Sequence, residues 1–319
     1  MRYMSIREFI DSYFHHFNAG EIKRAAQSLT SFVDEGGKIF LTLAGEMSTA
    51  RLGKSLVPLI DSGIITGISC TGANLEEDLF LLTANSHYHA IDNWRDLTSS
   101  DDADLFASGM NRVTDVCIPE EQAIRGIEAA ILPQWQEYSD NSKSALPHEF
   151  FYQILLNGEL DFDGDPSASW VLAAAKNNLP LFVPGWEDST LGNIFASHVI
   201  QSNLDPTTVK SGIHYMTDLA QWYESQTIPL AFFQIGGGIA GDFPICVVPM
   251  LNQDLSKTVP LWSWFCQISE ATASYGGYSG APPNEKITWG KLTEKTPRYH
   301  IESDATIVAP LIFAYLTNH

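Results

Sequence analysis

Apolar residues recur at helical spacing over 3–17 and 20–34, which predicts two amphipathic helices at the start of the chain. GGKIFLTLAGE then carries a continuous apolar run and predicts a buried strand at 39–43 ending in a turn. STARLGKSLVPLIDSG returns to the helical period, with Ser48 as its expected N-cap and Gly63 as its stop. IITGISC (64–70) reads as a second strand, and TGANLEEDLF turns from it into a helix. Strand, glycine-containing turn, helix and strand make the βαβ order of a parallel sheet.

The middle of the chain is more polar. Residues 93–107, with SSDDAD, read as an exposed loop, RVTDVCIP as a strand, and EEQAIRGIEAAILPQWQEY as a helix starting after Pro119. A second acidic loop, LDFDGDPSAS, precedes the helix WVLAAAKNN. LPLFVPGW predicts a strand, DSTLGNIFASHVI and TVKSGIHYMTDLAQWYES two helices, and IPLAFFQI a strand running into Gly236-Gly237-Gly238. TVPLWSWFCQIS (258–269) reads as a long strand, SYGGYSGAPPNE as a loop and DATIVAPLIFAYLTN as an apolar helix. No internal repeat or linker interrupts the alternation. The expectation is one α/β domain over 1–319: a Rossmann-like, doubly wound, mainly parallel sheet over 37–319, preceded by a helical extension over 1–36.

Composition narrows the function classes. With 319 residues, 45% of them hydrophobic and 11% aromatic, the chain can bury a core. A formal net charge of −20 argues against a nucleic-acid partner and suits cationic small molecules or basic proteins. No uncharged apolar stretch reaches the ~18 residues of a membrane span, so no membrane partner is expected. The first helix carries Arg, Glu and Asp among its apolar residues, unlike a signal peptide. Cys70, Cys117, Cys246 and Cys266 lie far apart without a CxxC, which predicts reduced thiols and a cytoplasmic location. His87 and His89 have no third ligand in view, so no metal is expected.

Ligands of open parallel sheets bind beyond the carboxyl ends of the strands. Unusual residues collect at such ends: LAGEMST (43–49), CTGANLEED (70–78), GWEDSTLGN (185–193), QIGGGIAGD (234–242) and the stretch 270–291. Taken singly, each reads as an ordinary tight turn. The segment ending in ITWGK adds chemistry, because Glu285, Trp289 and Lys291 fall within seven residues. A lysine desolvated beside an indole becomes an amine nucleophile able to form an imine. The residues of this segment alone leave open a surface lysine next to a packed tryptophan.

Together, CTGANLEEDL, GMNRV, LPLFVPGWEDSTLGN, IGGG, SGAPPNEKITWGK and SDATIVAPL resemble the deoxyhypusine synthase family, in the family's order, from about residue 38 onward. The resemblance implies a Rossmann-like fold, NAD as cofactor, and a homotetramer with active sites at the dimer interface. It implies dehydrogenation of spermidine, capture of the imine by an active-site lysine, and transfer of the aminobutyl group to a protein lysine. By position, Lys291 is the imine-forming lysine, Trp289 the wall along the polyamine methylenes, and Glu285 the partner of an ammonium end. On the NAD side the resemblance implies Ser48, Thr49, Thr71, Gly72, Glu77, Asp188, Gly237, Gly238, Ala271, Asp304 and Ala305. Gly276 lies in the substrate stretch.

Several positions depart from the family. The His pair after the glycine turn is Asp242 and Phe243, and the family's Asn four residues on from the first His is Cys246. Asn193 and Tyr278 stand where the family has amine-binding Asp residues. Asp242 is therefore the candidate base or ammonium partner. Two expectations follow. One is an NAD-dependent aminoalkyl transferase with an altered diamine or polyamine donor, or with an acceptor that is a small amine rather than a protein lysine, as in a homospermidine-synthase-like reaction with putrescine as acceptor. The other is a degenerate NAD-binding paralogue with a regulatory role.

Overall fold

The computed structural model describes residues 4–158, 160–273 and 276–317. Helices α1 (Ile6–Tyr13) and α2 (Phe17–Asp34) open the chain. Next, β1 (Lys38–Leu43), α3 (Gly53–Asp61), β2 (Ile65–Cys70) and α4 (Gly72–Ala84) form a βαβ unit. An excursion follows through β3 (His89–Ala90), α5 (Ser99–Ala107), β4 (Met110–Val113), β5 (Val116–Pro119), α6 (Gly126–Asp140), α7 (Pro147–Leu156) and α8 (Trp170–Lys176). The alternation resumes with β6 (Leu181–Phe182), α9 (Thr190–Ile200), α10 (Gly212–Ser225), β7 (Leu230–Ile235), α11 (Gly238–Ile245) and α12 (Val247–Pro249). It ends with β8 (Trp264–Ile268), α13 (Glu285–Thr288), β9 (Arg298–Ile301) and α14 (Ala305–Thr317).

The central sheet has the order β6-β2-β1-β7-β8-β9, every neighbouring pair parallel. The chain winds outward from β1 to β6, then returns beside β1 and winds the other way. That reversal puts a topological switch point between β1 and β7, where the two connections diverge and leave a crevice. Both faces of the sheet are covered, so β7 is buried at all six positions and reads as a nearly unbroken apolar run. Alternation along β7 separates the layers: Phe233 meets Phe313 of α14, while Gln234 faces Gly241 of α11. This is the predicted doubly wound α/β architecture.

Several elements differ from the sequence reading. Residues 99–107 form a helix rather than an exposed loop. Thr98 and Asp101 make a capping box there, and Asp101 and Asp102 sit in the first turn, where the helix dipole favours acids. Helix α7 was not expected. It starts at Pro147, whose missing N–H costs nothing in the first helical turn. Strand β6 is cut to two residues as the chain runs into Pro184, and β8 starts only at Trp264, four residues after Pro260. Strand β9 went unrecognised because Arg298 and His300 break its apolar run. A second, antiparallel sheet, β3-β5-β4, flanks the parallel one. Ser48 is not a helix N-cap, since α3 begins after Leu52. Among the described residues, no helix is long and apolar enough to cross a membrane.

Candidate active site

The penultimate residue of five strands is polar: Ser69, Thr42, Gln234, Gln267 and His300. They are in register across β2, β1, β7, β8 and β9. Two residues earlier on the three central strands, Phe40, Phe232 and Phe265 form a stacked row on the same face. The polar row is what the loop after β8 rests on. Gln234 Oε1 accepts from the Tyr278 hydroxyl at 2.7 Å, and Gln267 Nε2 donates to the Ser279 carbonyl. Among the described residues, Thr42 Oγ1, Ser69 Oγ, Gln267 Oε1 and His300 Nε2 are buried without a partner. The sequence reading missed this row, although each strand carries the same signal, one polar residue before its last apolar one.

Above the row lies a cavity of about 260 Å³ lined by Asp242, Cys246, Gly276, Tyr278, Ala281, Glu285, Lys286, Trp289 and Lys291. Six predicted residues thus come together: Lys291, Asp242, Glu285, Trp289, Tyr278 and Gly276. Lys291 is 5% exposed, and its Nζ lies 3.2 Å from Asp242 Oδ1. The same nitrogen sits 5.5 Å from the centre of the Tyr278 ring and 5.8 Å from that of Trp289, within cation–π range. Cys246 Sγ is 3.6 Å from Asp242 Oδ1, and burial pushes its thiol above the ordinary range. Burial likewise raises the Tyr278 phenol, which stays neutral and able to donate to Gln234. The sequence reading also missed Lys286, buried in the same cavity. Asn193 is not brought there: it is exposed on α9, and its amide donates to the carbonyls of Glu187 and Ser189.

The predicted cofactor residues line the carboxyl edge of the sheet. At the switch point, Gly236 is so close to β1 that an added Cβ would lie 2.9 Å from the Ala44 Cβ. Gly45 and Gly238 have φ of +63° and +53°, and Gly238 opens onto free space. These two glycines fit a crevice that a dinucleotide backbone could enter closely. Other predicted residues are occupied within the chain. Ser48 Oγ donates to the Asn74 carbonyl and accepts from Trp170 Nε1, and is buried. Gly72 packs on Ser189, and Gly237 on Ser279. Thr71 caps α4, donating to the Gly45 carbonyl and accepting from Asn74. The Ala271 N–H goes to Ser269 Oγ. Asp304 caps the start of α14 through Thr306, with Ala305 its first residue. Asp188 is exposed in the turn before α9. The fully buried Asn74 ties this edge together: its amide is 2.7 Å from the Gly45 carbonyl, and its Oδ1 accepts from Ser48 N.

Three consecutive carboxyls on α4 serve three different ends. Glu76 accepts from the Thr190 and Leu191 N–H groups at the start of α9. Asp78 does the same for Trp170 and Val171 of α8 and also accepts from Ser169. Glu77 instead meets the turn after β1 and accepts from Thr49 Oγ1 at 2.7 Å. Burial, with the nearby charges of Glu46 and Glu76 adding to it, pushes Glu77 up to about 8 against the pull of the Thr49 hydrogen bond. The folded state therefore keeps a proton that the unfolded chain loses above pH 4.5, and stability falls as pH rises from there to about 8. Glu77→Gln mimics the protonated acid. It is expected to match the wild type near pH ~5 and exceed it by about 2–4 kcal/mol near pH ~8.5. Denaturant unfolding at the two pH values checks this; parallel curves for the two proteins would refute it.

A family profile described as deoxyhypusine synthase matches residues 8–316. A "Deoxyhypusine synthase-like protein" of Cyanothece sp. is 27% identical over 99% of this chain and 80% of its own length. A "Probable deoxyhypusine synthase" of Aeropyrum pernix is 26% identical over 99% of this chain and 95% of its own. In fold, the chain is similar to a solved Entamoeba histolytica structure assigned as a deoxyhypusine synthase, with a TM-score of 0.59 and 15% identity over 97% of this chain and 91% of that one. The match runs through every element that builds the crevice and the lysine cavity, and the chain belongs to the deoxyhypusine synthase family.

Proposed function

We propose that this protein is an NAD-dependent aminoalkyl transferase that carries the transferred group as an imine on Lys291, with an amine donor or acceptor other than the family's usual pair. The observation that carries this reading is Lys291 itself, a buried lysine at a cavity wall of Asp242, Tyr278, Trp289 and Glu285. An amine must lose its proton before it can attack, and Asp242 Oδ1 is an acceptor 3.2 Å away. Once the donor is oxidised at the carbon beside its nitrogen, the Lys291 amine adds to that carbon, and the nitrogen bonded there leaves as the released amine, so that one carbon–nitrogen double bond replaces another. The acceptor amine later takes the group from Lys291. Hydride acceptance and return is the chemistry that bound NAD would supply. Gly45, Gly238, Thr49, Glu77 and Asp188 are the residues best disposed to hold it. Tyr278 and Trp289 wall the cavity on which the methylenes would lie, and Glu285 at its rim would meet an ammonium.

Trp289 is 65% exposed, and Glu285, Asp188 and Asn193 are also open on a single chain. That exposure supports a site completed by a second copy, with Asn193 arriving from the partner, in a homotetramer. The changed positions, Asp242, Asn193 and Tyr278, all fall on the amine side, which supports altered amine specificity rather than a lost cofactor. The ion pair of Lys291 with Asp242 favours a second reading, a non-catalytic NAD-binding paralogue in which that pair is structural. Borohydride treatment with NAD and a panel of di- and polyamines, read by peptide mass, separates the two. A reduced adduct on Lys291 is expected with at least one amine, and no adduct with any would leave the second reading.

A further inference from the structure

The lysine cavity holds a cation that the transfer chemistry does not use. Lys286 is 2% exposed, more deeply buried than Lys291. Among the described residues no carboxylate lies within ion-pair distance of it, while Lys291 has Asp242. Among the described residues its ammonium donates to the Ala281 carbonyl alone, at 3.4 Å, and it faces the rings of Tyr278 at 4.8 Å and Phe265 at 5.2 Å. Phe265 ends the stacked aromatic row, so Lys286 stands where that apolar row meets the cavity. A buried ammonium with one long hydrogen bond is poorly compensated, and an anion entering the cavity would complete it. The cavity as a whole is balanced, with Asp242 and Glu285 against Lys286 and Lys291. A plain polyamine would bring a second or third ammonium toward Lys286.

Resting on the reading of this cavity as an amine site, we propose that Lys286 binds a substrate carboxylate. The acceptor is then an ω-amino acid, its amine held by Glu285 beside Lys291, where it takes the transferred group, and its carboxylate on Lys286. Burial, with the charge of Lys291 as the second cause, holds Lys286 down to about 8. At neutral pH it is still mostly protonated, as an anion-binding group must be. Opposite charges in a partly buried cavity attract as strongly as like charges repel, so one carboxylate in place of one ammonium changes affinity in both directions at once.

The test is calorimetric binding to the intact protein, with and without NAD, of two matched pairs: 4-aminobutanoate against 1,4-diaminobutane, and 5-aminopentanoate against 1,5-diaminopentane. The amino acids are expected to bind at least about tenfold tighter than the diamines. Lys286→Met should erase or reverse that preference, and Lys286→Arg should retain it. Diamines binding the wild type as well as the amino acids would overturn the proposal. So would no binding of any of the four compounds, or a Lys286→Met variant that weakens both classes alike. If that variant does not fold, the wild-type preference alone decides. A preference without borohydride trapping at Lys291 would keep this assignment and remove the transferase reading. Trapping with plain diamines and no preference would do the opposite.

Discussion

Lys291→Arg is expected to abolish the borohydride-trapped adduct and to lower any amine turnover by at least about a thousandfold, while the thermal midpoint stays within a few degrees of wild type. The two halves of that expectation have different physical origins. A guanidinium stays protonated at any working pH and cannot form an imine, so the covalent step is lost outright. It still carries the charge that Lys291 presents to Asp242 and to the faces of Tyr278 and Trp289. The cavity of about 260 Å³ has room for the longer side chain. Lys291→Ala is a less informative variant. It leaves Asp242 unpaired, although that carboxylate is 49% exposed and water can take over. A Lys291→Arg protein that still yields an adduct would move the chemistry to another amine. Peptide mapping would then show whether Lys286, in the same cavity, had been the nucleophile.

How far the sequence reveals such a site depends on the kind of signal each residue leaves. The strands next to the switch point were legible because a parallel strand buried on both faces is a continuous apolar run, as in KIFLTL and LAFFQI. Helix α5 was not legible, because its acids lie in the first turn and an acidic N-terminus looks like a loop when composition is read without the capping box. Lys291, Trp289 and Glu285 were singled out through their spacing in the segment EKITWGK and its resemblance to a family motif. Lys286, five residues before Lys291, was passed over although it is the more buried lysine. Sequence gives no depth, and a Lys beside a Glu in a polar stretch reads as solvated. Asn74 and Gln234 escaped for a related reason. Each works by hydrogen bonds to residues distant in the chain, to Ser48 and Gly45 in one case and to Tyr278 in the other. The glycines do lie at the carboxyl edge of the sheet, but the chain itself approaches two of them. The cofactor was the expected neighbour, and at Gly72 and Gly237 the chain's own serines occupy that space.

Gly237→Ala is therefore expected to damage the lysine cavity rather than the dinucleotide crevice alone, with at least about a hundredfold loss of trapping yield and about 1–3 kcal/mol of stability. An added Cβ would collide with Ser279 Oγ and lie 2.7 Å from the Cα and Cβ of Ser279, and a backbone atom cannot rotate away. The turn over 277–280 would have to move. That turn presents Tyr278 to both lysines and hangs from the sheet by Tyr278–Gln234 and Gln267–Ser279 hydrogen bonds. Ser279 Oγ also accepts from Gly238 N at 3.0 Å, so the glycine turn and the lysine loop move as one piece. Gly238→Ala is the comparison for stability and for the packing of the lysine cavity, and any trapping it loses reports the dinucleotide crevice. Its Cβ meets nothing within 4 Å, and its cost is the positive φ of +53°, about 1 kcal/mol of backbone strain with little change in the cavity. Adding Ser279→Gly to Gly237→Ala removes two of the three clashing atoms but also the hydrogen bond to Gly238, so recovery should be partial. Trapping yield and thermal midpoint for the four proteins decide the matter. A Gly237→Ala protein that traps amines as well as wild type would show that the two halves of the site are not mechanically joined.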